Sequence, residues 1–254
     1  MNNGAIWNHI IFTNNINLDD TFPIITSNQI KDSKNTWVAE ENQFEPRILC
    51  KMDFSDSRPK IFKDNNIFLI SINKNTWLFT KTNIYMKLNK YISCPKLIQN
   101  KIQSCLLDFE NSSSENSLLD ILYYNNIFSE IIGEEMTIKL NSCRKTSNFN
   151  TFLNDTEITV KSQYEIDGCY ESENFICIVE AKMNMECKDF NLRQLYIPYM
   201  DISETLKKKN ISKKIVPLFL YQDKRKRIYI HVFEWMNTKY INDIREIAYY
   251  EFVI

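Results

Sequence analysis

Hydrophobic spacing divides the chain into recognisable elements. From residue 117 to 132 the apolar positions Leu118, Leu119, Ile121, Leu122, Ile127, Phe128, Ile131 and Ile132 recur at helical spacing. Gly133 stands where a helix ends, and Ser113 or Ser114 is suited to cap the start, so the pattern predicts one helix. Strand-like runs follow over 136–140, 157–160, 164–170 and 175–181. A second helix is predicted over 189–199, opened by Asp189 and ended near Pro198, and then two more strands over 215–221 and 227–235. The last of these alternates Ile228, Ile230 and Val232 against Tyr229, His231 and Phe233. Upstream, the runs 66–73 and 76–82 flank Lys74-Asn75 and read as a hairpin, and 26–33 reads as a short helix capped by Thr26 or Ser27. No internal repeat is present. The order implies one mixed α/β core after residue 110, preceded by a smaller N-terminal region.

Composition narrows the function classes. The chain has 254 residues, 44% hydrophobic and 25% charged, which is ordinary for a packed domain. No apolar run approaches the ~20 residues of a membrane helix, and the first residues lack the basic start and cleavage site of a secretory leader. Seven cysteines without a CxxC pair suit free thiols, and with these features the expectation is a cytoplasmic bacterial or archaeal protein that binds no membrane. A net charge of −1 means that a polyanionic partner has to be held by local basic patches. Two histidines, His9 and His231, and three glycines leave no GxGxxG, P-loop, HExxH or GxSxG pattern.

One stretch carries chemistry: Glu165-Ile166-Asp167-Gly168-Cys169-Tyr170, then Ile176-Cys177-Ile178-Val179-Glu180-Ala181-Lys182. Side chains on a strand alternate, so Glu180 and Lys182 share a face at the end of the second run. Asp167 on the neighbouring strand brings a second carboxylate to the same place. Charges ending so apolar a strand are costly to bury unless paired or metal-bound. Two carboxylates and a lysine suit metal-assisted phosphodiester hydrolysis. The carboxylates would hold Mg²⁺, and the lysine would orient or deprotonate water or stabilise the charged transition state. A surface hairpin with a Glu/Lys pair is the plainer alternative.

This pattern resembles the PD-(D/E)xK nuclease superfamily, with Asp167, Glu180 and Lys182 at the motif positions and Ile166 where a proline is usual. QYEIDGCYE, IVEAKMN and DFNLRQLYIPY together, with EPRILCKMDFSDSRPKIFKDNNIFLI and ILYYNNIFSEIIGEE upstream, look like a family of bacterial type II restriction endonucleases. The likeness spans about 26–235. It implies an α/β (α+β) nuclease core with a mixed β-sheet flanked by helices, a Mg²⁺ cofactor, and site-specific cleavage of double-stranded DNA. It also implies a cognate DNA methyltransferase acting on the same sequence, and a homodimer where the target is palindromic. Alternatives on the same fold are a structure-specific or repair nuclease and a non-catalytic DNA-binding protein.

The likeness makes Gln194 a candidate to orient Lys182 or the scissile phosphate, and Arg193 a candidate phosphate contact. It also calls for a further carboxylate from the earlier helix. Glu130 and Glu134 both qualify, since they share a helix face and acidic groups near a helix C-terminus sit against the macrodipole. The basic run 207–227 and the residues Trp37, Arg47, Arg58, Lys60 and Lys63 are candidate backbone or base contacts. On this reading residues 1–110 help to read DNA and 111–254 cut it.

Overall fold

The computed structural model describes residues 3–37, 44–92, 94–99 and 114–254, with the backbone alone at 141–143. The first part of the chain carries α1 (Asn3–Thr13), β1 (Ile24–Thr26), α2 (Ser27–Asp32), α3 (Pro46–Leu49), α4 (Lys60–Asp64), β2 (Phe68–Asn73) and β3 (Thr76–Thr80). Then come β4 (Tyr85–Lys87), β5 (Lys96–Leu97), α5 (Glu115–Tyr124), α6 (Ile127–Ile132), β6 (Ile138–Thr146), β7 (Phe149–Leu153) and β8 (Thr156–Val160). The remainder is β9 (Gln163–Glu171), β10 (Phe175–Lys182), β11 (Asp189–Asn191), α7 (Arg193–Lys209), β12 (Lys214–Gln222), β13 (Arg227–Trp235) and β14 (Ile244–Val253).

The molecule is mixed α and β around a seven-stranded mixed sheet, in the order β5-β14-β13-β12-β10-β9-β6. β10 runs parallel to β12 and antiparallel to β9. Its Phe-Ile-Cys-Ile-Val run is apolar on both faces because both faces are covered. Cys177, Val179 and Ala181 pack with Leu118, Leu119 and Leu122 of α5 and with Phe128 of α6. Ile176 and Ile178 pack on the other side with Leu195, Tyr196 and Met200 of α7. The parallel β10–β12 pairing requires a crossover connection, and α7 supplies it.

The β2–β3 hairpin forms where the sequence predicts it, with Lys74-Asn75 at the turn. Its two faces belong to different cores. Phe68, Ile70 and Leu78 join the core under the large sheet. Leu69, Trp77 and Phe79 join a separate N-terminal core with Trp7, Ile30 and Phe62. Thr26 caps α2 as expected, through a capping box with Gln29.

Three expectations are corrected. The helix predicted over 117–132 is two helices: Asn126, at φ 63°, breaks it into α5 and α6, and Gly133, at φ 80°, ends the second. Ser114 is the cap of α5; Ser113 and the boundary expected at 110/111 lie outside the described residues. Asp189 opens no helix. It starts the short strand β11, paired with β4, and its carboxylate is taken by Ser55 instead of a helix N-terminus. The helix begins at Arg193 and runs through Pro198 to Lys209, so proline does not end it. The strands β7 and β14 and the helix α1 were not foreshadowed by the apolar spacing. Among the described residues no helix is long and apolar enough to cross a membrane.

At Gly168 the sheet lies directly against Leu119 of α5. A Cβ there would stand 3.1 Å from Leu119 Cδ1 and 3.1 Å from the Tyr170 ring and hydroxyl. Leu119 and Tyr170 are both buried and have little room to give. Gly168→Ala is therefore expected to cost about 1–3 kcal/mol through overpacking, read as a lower urea midpoint at unchanged m value.

Candidate functional site

The pairing of β9 with β10 ends at Gly168–Val179, while β10 continues to Lys182 alongside β12. The two strands splay at that point, which frees the β10 backbone on its β9 side. Asp167 fills the gap: its Oδ2 accepts from the Ala181 N–H at 2.9 Å. Lys182 folds back so that its Nζ donates to the Ala181 carbonyl at 2.9 Å and to Glu180 Oε1. Lys182 Nζ also lies 4.0 Å from Asp167 Oδ2 and 3.8 Å from Glu115 Oε1. Gln194, in the first turn of α7, donates from Nε2 to the same Glu180 oxygen. Asp167, Glu180, Lys182 and Gln194 thus meet where the β9–β10 pairing ends, beneath a cavity of about 280 Å³.

The group is short of positive charge. The Glu180 side chain is 7% exposed, and burial pushes its carboxyl up to about 8 against the pull of Lys182. Burial likewise raises the Glu115 carboxyl. Burial works against the Lys182 ammonium, but Glu180, Asp167 and Glu115 outweigh it and hold its proton on. Three carboxyl groups, those of Glu180, Asp167 and Glu115, therefore share one ammonium. Lys182 in this setting carries a positive charge suited to orienting and stabilising anions.

These residues fit a divalent cation. Gln194 Oε1 is buried with no hydrogen-bond partner among the described residues, an unmet acceptor beside two carboxylates. No three of His, Cys, Asp and Glu among the described residues stand close enough to wrap a metal by themselves. Mg²⁺ binds through one or two carboxylates and keeps several waters. Asp167 and Glu180 would hold it.

The structure places Glu130 and Glu134 elsewhere. Glu130 pairs with Lys96 on the surface. Glu134 accepts from Asn174 N at 2.8 Å and Asn174 Nδ2 at 3.0 Å, bracing the turn at the far end of the β9–β10 hairpin. Glu134 lies beyond the left-handed Gly133 that ends α6, so it does not share a helix face with Glu130 as expected. The carboxylate that α5 brings to the site is Glu115, in the first turn, where negative charge suits the helix dipole. The carboxylate that reaches the site thus stands beside the capping Ser114 of α5 and not near the end of α6.

Residues 1–110 also hold more than the sequence suggests. Lys51 and Asp53 line the cavity over Asp167 and Glu180. Asp53 pairs with Lys51 at 3.4 Å and with Arg193 at 4.0 Å. Of the basic N-terminal candidates, Arg47 lines the adjoining cavity. Arg58 is structural: its guanidinium lies 4.3 Å over the Phe68 ring and donates to the Ile67 carbonyl. Lys60 pairs with Asp64, Lys63 donates to the Asp56 carbonyl, and Trp37 packs on His9 and Phe44. The basic run 207–227 is divided between α7, β12 and the β12–β13 turn. Lys207, Lys213, Lys214 and Arg227 are taken by Glu204, Glu171, Glu234 and Glu251.

Neither a curated protein nor a solved structure matches the chain. The model of one domain of unknown function, DUF6996, matches residues 5–79. The model of another domain of unknown function, DUF6997, matches residues 80–253, more than half of the length, and the chain belongs to that family.

Proposed function

We propose that this chain is a Mg²⁺-dependent nuclease of the PD-(D/E)xK type that hydrolyses phosphodiester bonds of double-stranded DNA, acting site-specifically in restriction–modification. The observation that carries the reading is the convergence of Asp167, Glu180 and Lys182 at the splayed end of β9 and β10, with Gln194 on Glu180. When bound, Mg²⁺ supplies Lewis-acid activation of water and neutralises charge on the phosphate. Asp167 and Glu180 would provide its anionic seat. Lys182, held as an ammonium, stabilises the charge that builds on the phosphate oxygens. Gln194 fixes the Glu180 carboxylate and offers its free carbonyl oxygen to orient water. Glu115 faces Lys182 from above and restrains it.

Phage and plasmid DNA incubated with the protein and Mg²⁺ are expected to give discrete fragments, and none with EDTA. Sequencing the fragment ends then reads the target. A smear in place of fragments would point to a nuclease without site specificity, cleavage in EDTA would overturn the metal assignment, and binding without cleavage would leave a DNA-binding protein on this fold.

A further inference from the structure

The cavity over the carboxylates continues into a second one of about 370 Å³ on the side of the N-terminal core. Lys51, Asp53, Arg193 and Gln194 line both, so the two form one groove. At the joint, the N-terminal segment is pinned to the second half of the chain. Asn191 N donates to the Asp53 carbonyl at 2.9 Å, and Asn191 Nδ2 to the Met52 carbonyl at 3.0 Å. Tyr85 Oη donates to the same Met52 carbonyl at 2.8 Å, and Ser55 N to Asp189 Oδ1 at 2.8 Å. This clamp is strong where it touches Met52, and it holds Lys51 and Asp53 on either side of that residue out into the groove.

Arg193 faces them as the first residue of α7, where a cation opposes the helix dipole. Its side chain is 19% exposed, yet its buried Nε meets no acceptor among the described residues, and its carboxylate neighbour Asp53 is 4.0 Å away. A guanidinium has five donors in a planar fork that matches phosphate, and a buried one left this poorly matched is costly unless an anion completes it. Lys51, 69% exposed, reaches into the same space. Of the charged residues that line both cavities, Lys51 and Arg193 stand against Asp53 and Glu165, and Glu165 is taken by Arg144 at 3.1 Å. Farther along the groove stand Arg47, Lys74 and Arg144.

We propose that Lys51 and Arg193 form a phosphate-binding subsite beside the carboxylate cluster, which takes a backbone phosphate adjacent to the one that is cut, with Asp53 as the positioning residue between them. The inference rests on the nuclease reading above. It makes the site a joint product of the two halves of the chain, so the N-terminal half contributes directly to the groove in which cutting occurs. The alternative is an ion-pair network that only fastens the halves together.

The test is duplex binding by the full chain without divalent cation, read as fluorescence anisotropy of a labelled oligonucleotide across a salt series. Lys51→Ala and Arg193→Ala are each expected to weaken binding by about 3- to 10-fold, equally for unrelated sequences, and to lower the slope of log affinity on log salt by about 1. Lys60→Ala, which removes a surface pair with Asp64, is expected to change neither. Lys51 is exposed enough that Lys51→Glu keeps the fold, and it is expected to weaken binding more than Lys51→Ala. If the wild type binds and cuts but Lys51→Ala and Lys51→Glu match it in affinity and slope, the subsite is overturned and the nuclease reading stands. If Arg193→Ala lowers the melting temperature and leaves affinity intact, the network is a fastening only and the subsite is likewise overturned. If the wild type binds no duplex, the nuclease reading falls and the subsite falls with it.

Discussion

Lys182→Ala is expected to reduce Mg²⁺-dependent cleavage of duplex DNA by about 10³-fold or more, while duplex affinity stays within a small factor of wild type. The size follows from removing a preorganised charge from a water-poor site, where one electrostatic partner is worth about 10²–10³ in rate. Lys182 is also the nearest cation to Glu180, so its loss reaches beyond one contact. Without the ammonium, Glu180 faces Asp167 and Glu115 unopposed, and its carboxyl moves further above its already raised value. Affinity is spared because the Lys182 side chain is 13% exposed and its Nζ is engaged by Glu180 and the Ala181 carbonyl. It therefore presents little charge to a DNA backbone. Fragment production and anisotropy measured on one preparation decide the matter, since retained binding proves a folded protein. Cleavage near the wild-type rate would remove Lys182 from the mechanism.

Asp167→Asn should be nearly as damaging through a different route. The amide keeps an oxygen to accept the Ala181 N–H, so the splay between β9 and β10 survives. What disappears is one of the two charges that would seat the cation. Hard cations favour anionic oxygen, so the Mg²⁺ concentration for half-maximal cleavage is expected to rise and the maximal rate to fall by about 10²-fold or more. A titration of cleavage rate against Mg²⁺ measures both. An unchanged metal requirement would mean that Asp167 serves only to brace Ala181.

The parts of this architecture that were legible in the sequence are those where local pattern and tertiary environment agree. β10 announced itself by five apolar residues ended by charge, and β2–β3 by its turn. Glu180 and Lys182 share a face for no reason deeper than strand periodicity. The misreadings arose where a distant partner overrode a local signal. Asp189 has the chemistry of a helix cap, but Ser55, more than a hundred residues away, takes its carboxylate, and the helix starts four residues later. The apolar spacing of 117–132 carries across Asn125-Asn126, although the left-handed Asn126 turns the chain there. Glu115, Lys51 and Asp53 were missed because nothing in a single sequence says that a helix start and an N-terminal loop will be brought to the end of β9. Only packing does that.

The boundary between the two matched domain families falls at residues 79 and 80, at the close of the β2–β3 hairpin. The material boundary runs through the hairpin itself, because Phe68, Ile70 and Leu78 are core residues of the partner region. Exchanging one region for a distant counterpart is then expected to disturb the core of the other. A first region grafted from a distant relative would bring three mismatched side chains to the second region's interior, so substitutions at these positions are expected to vary together with the core residues around them.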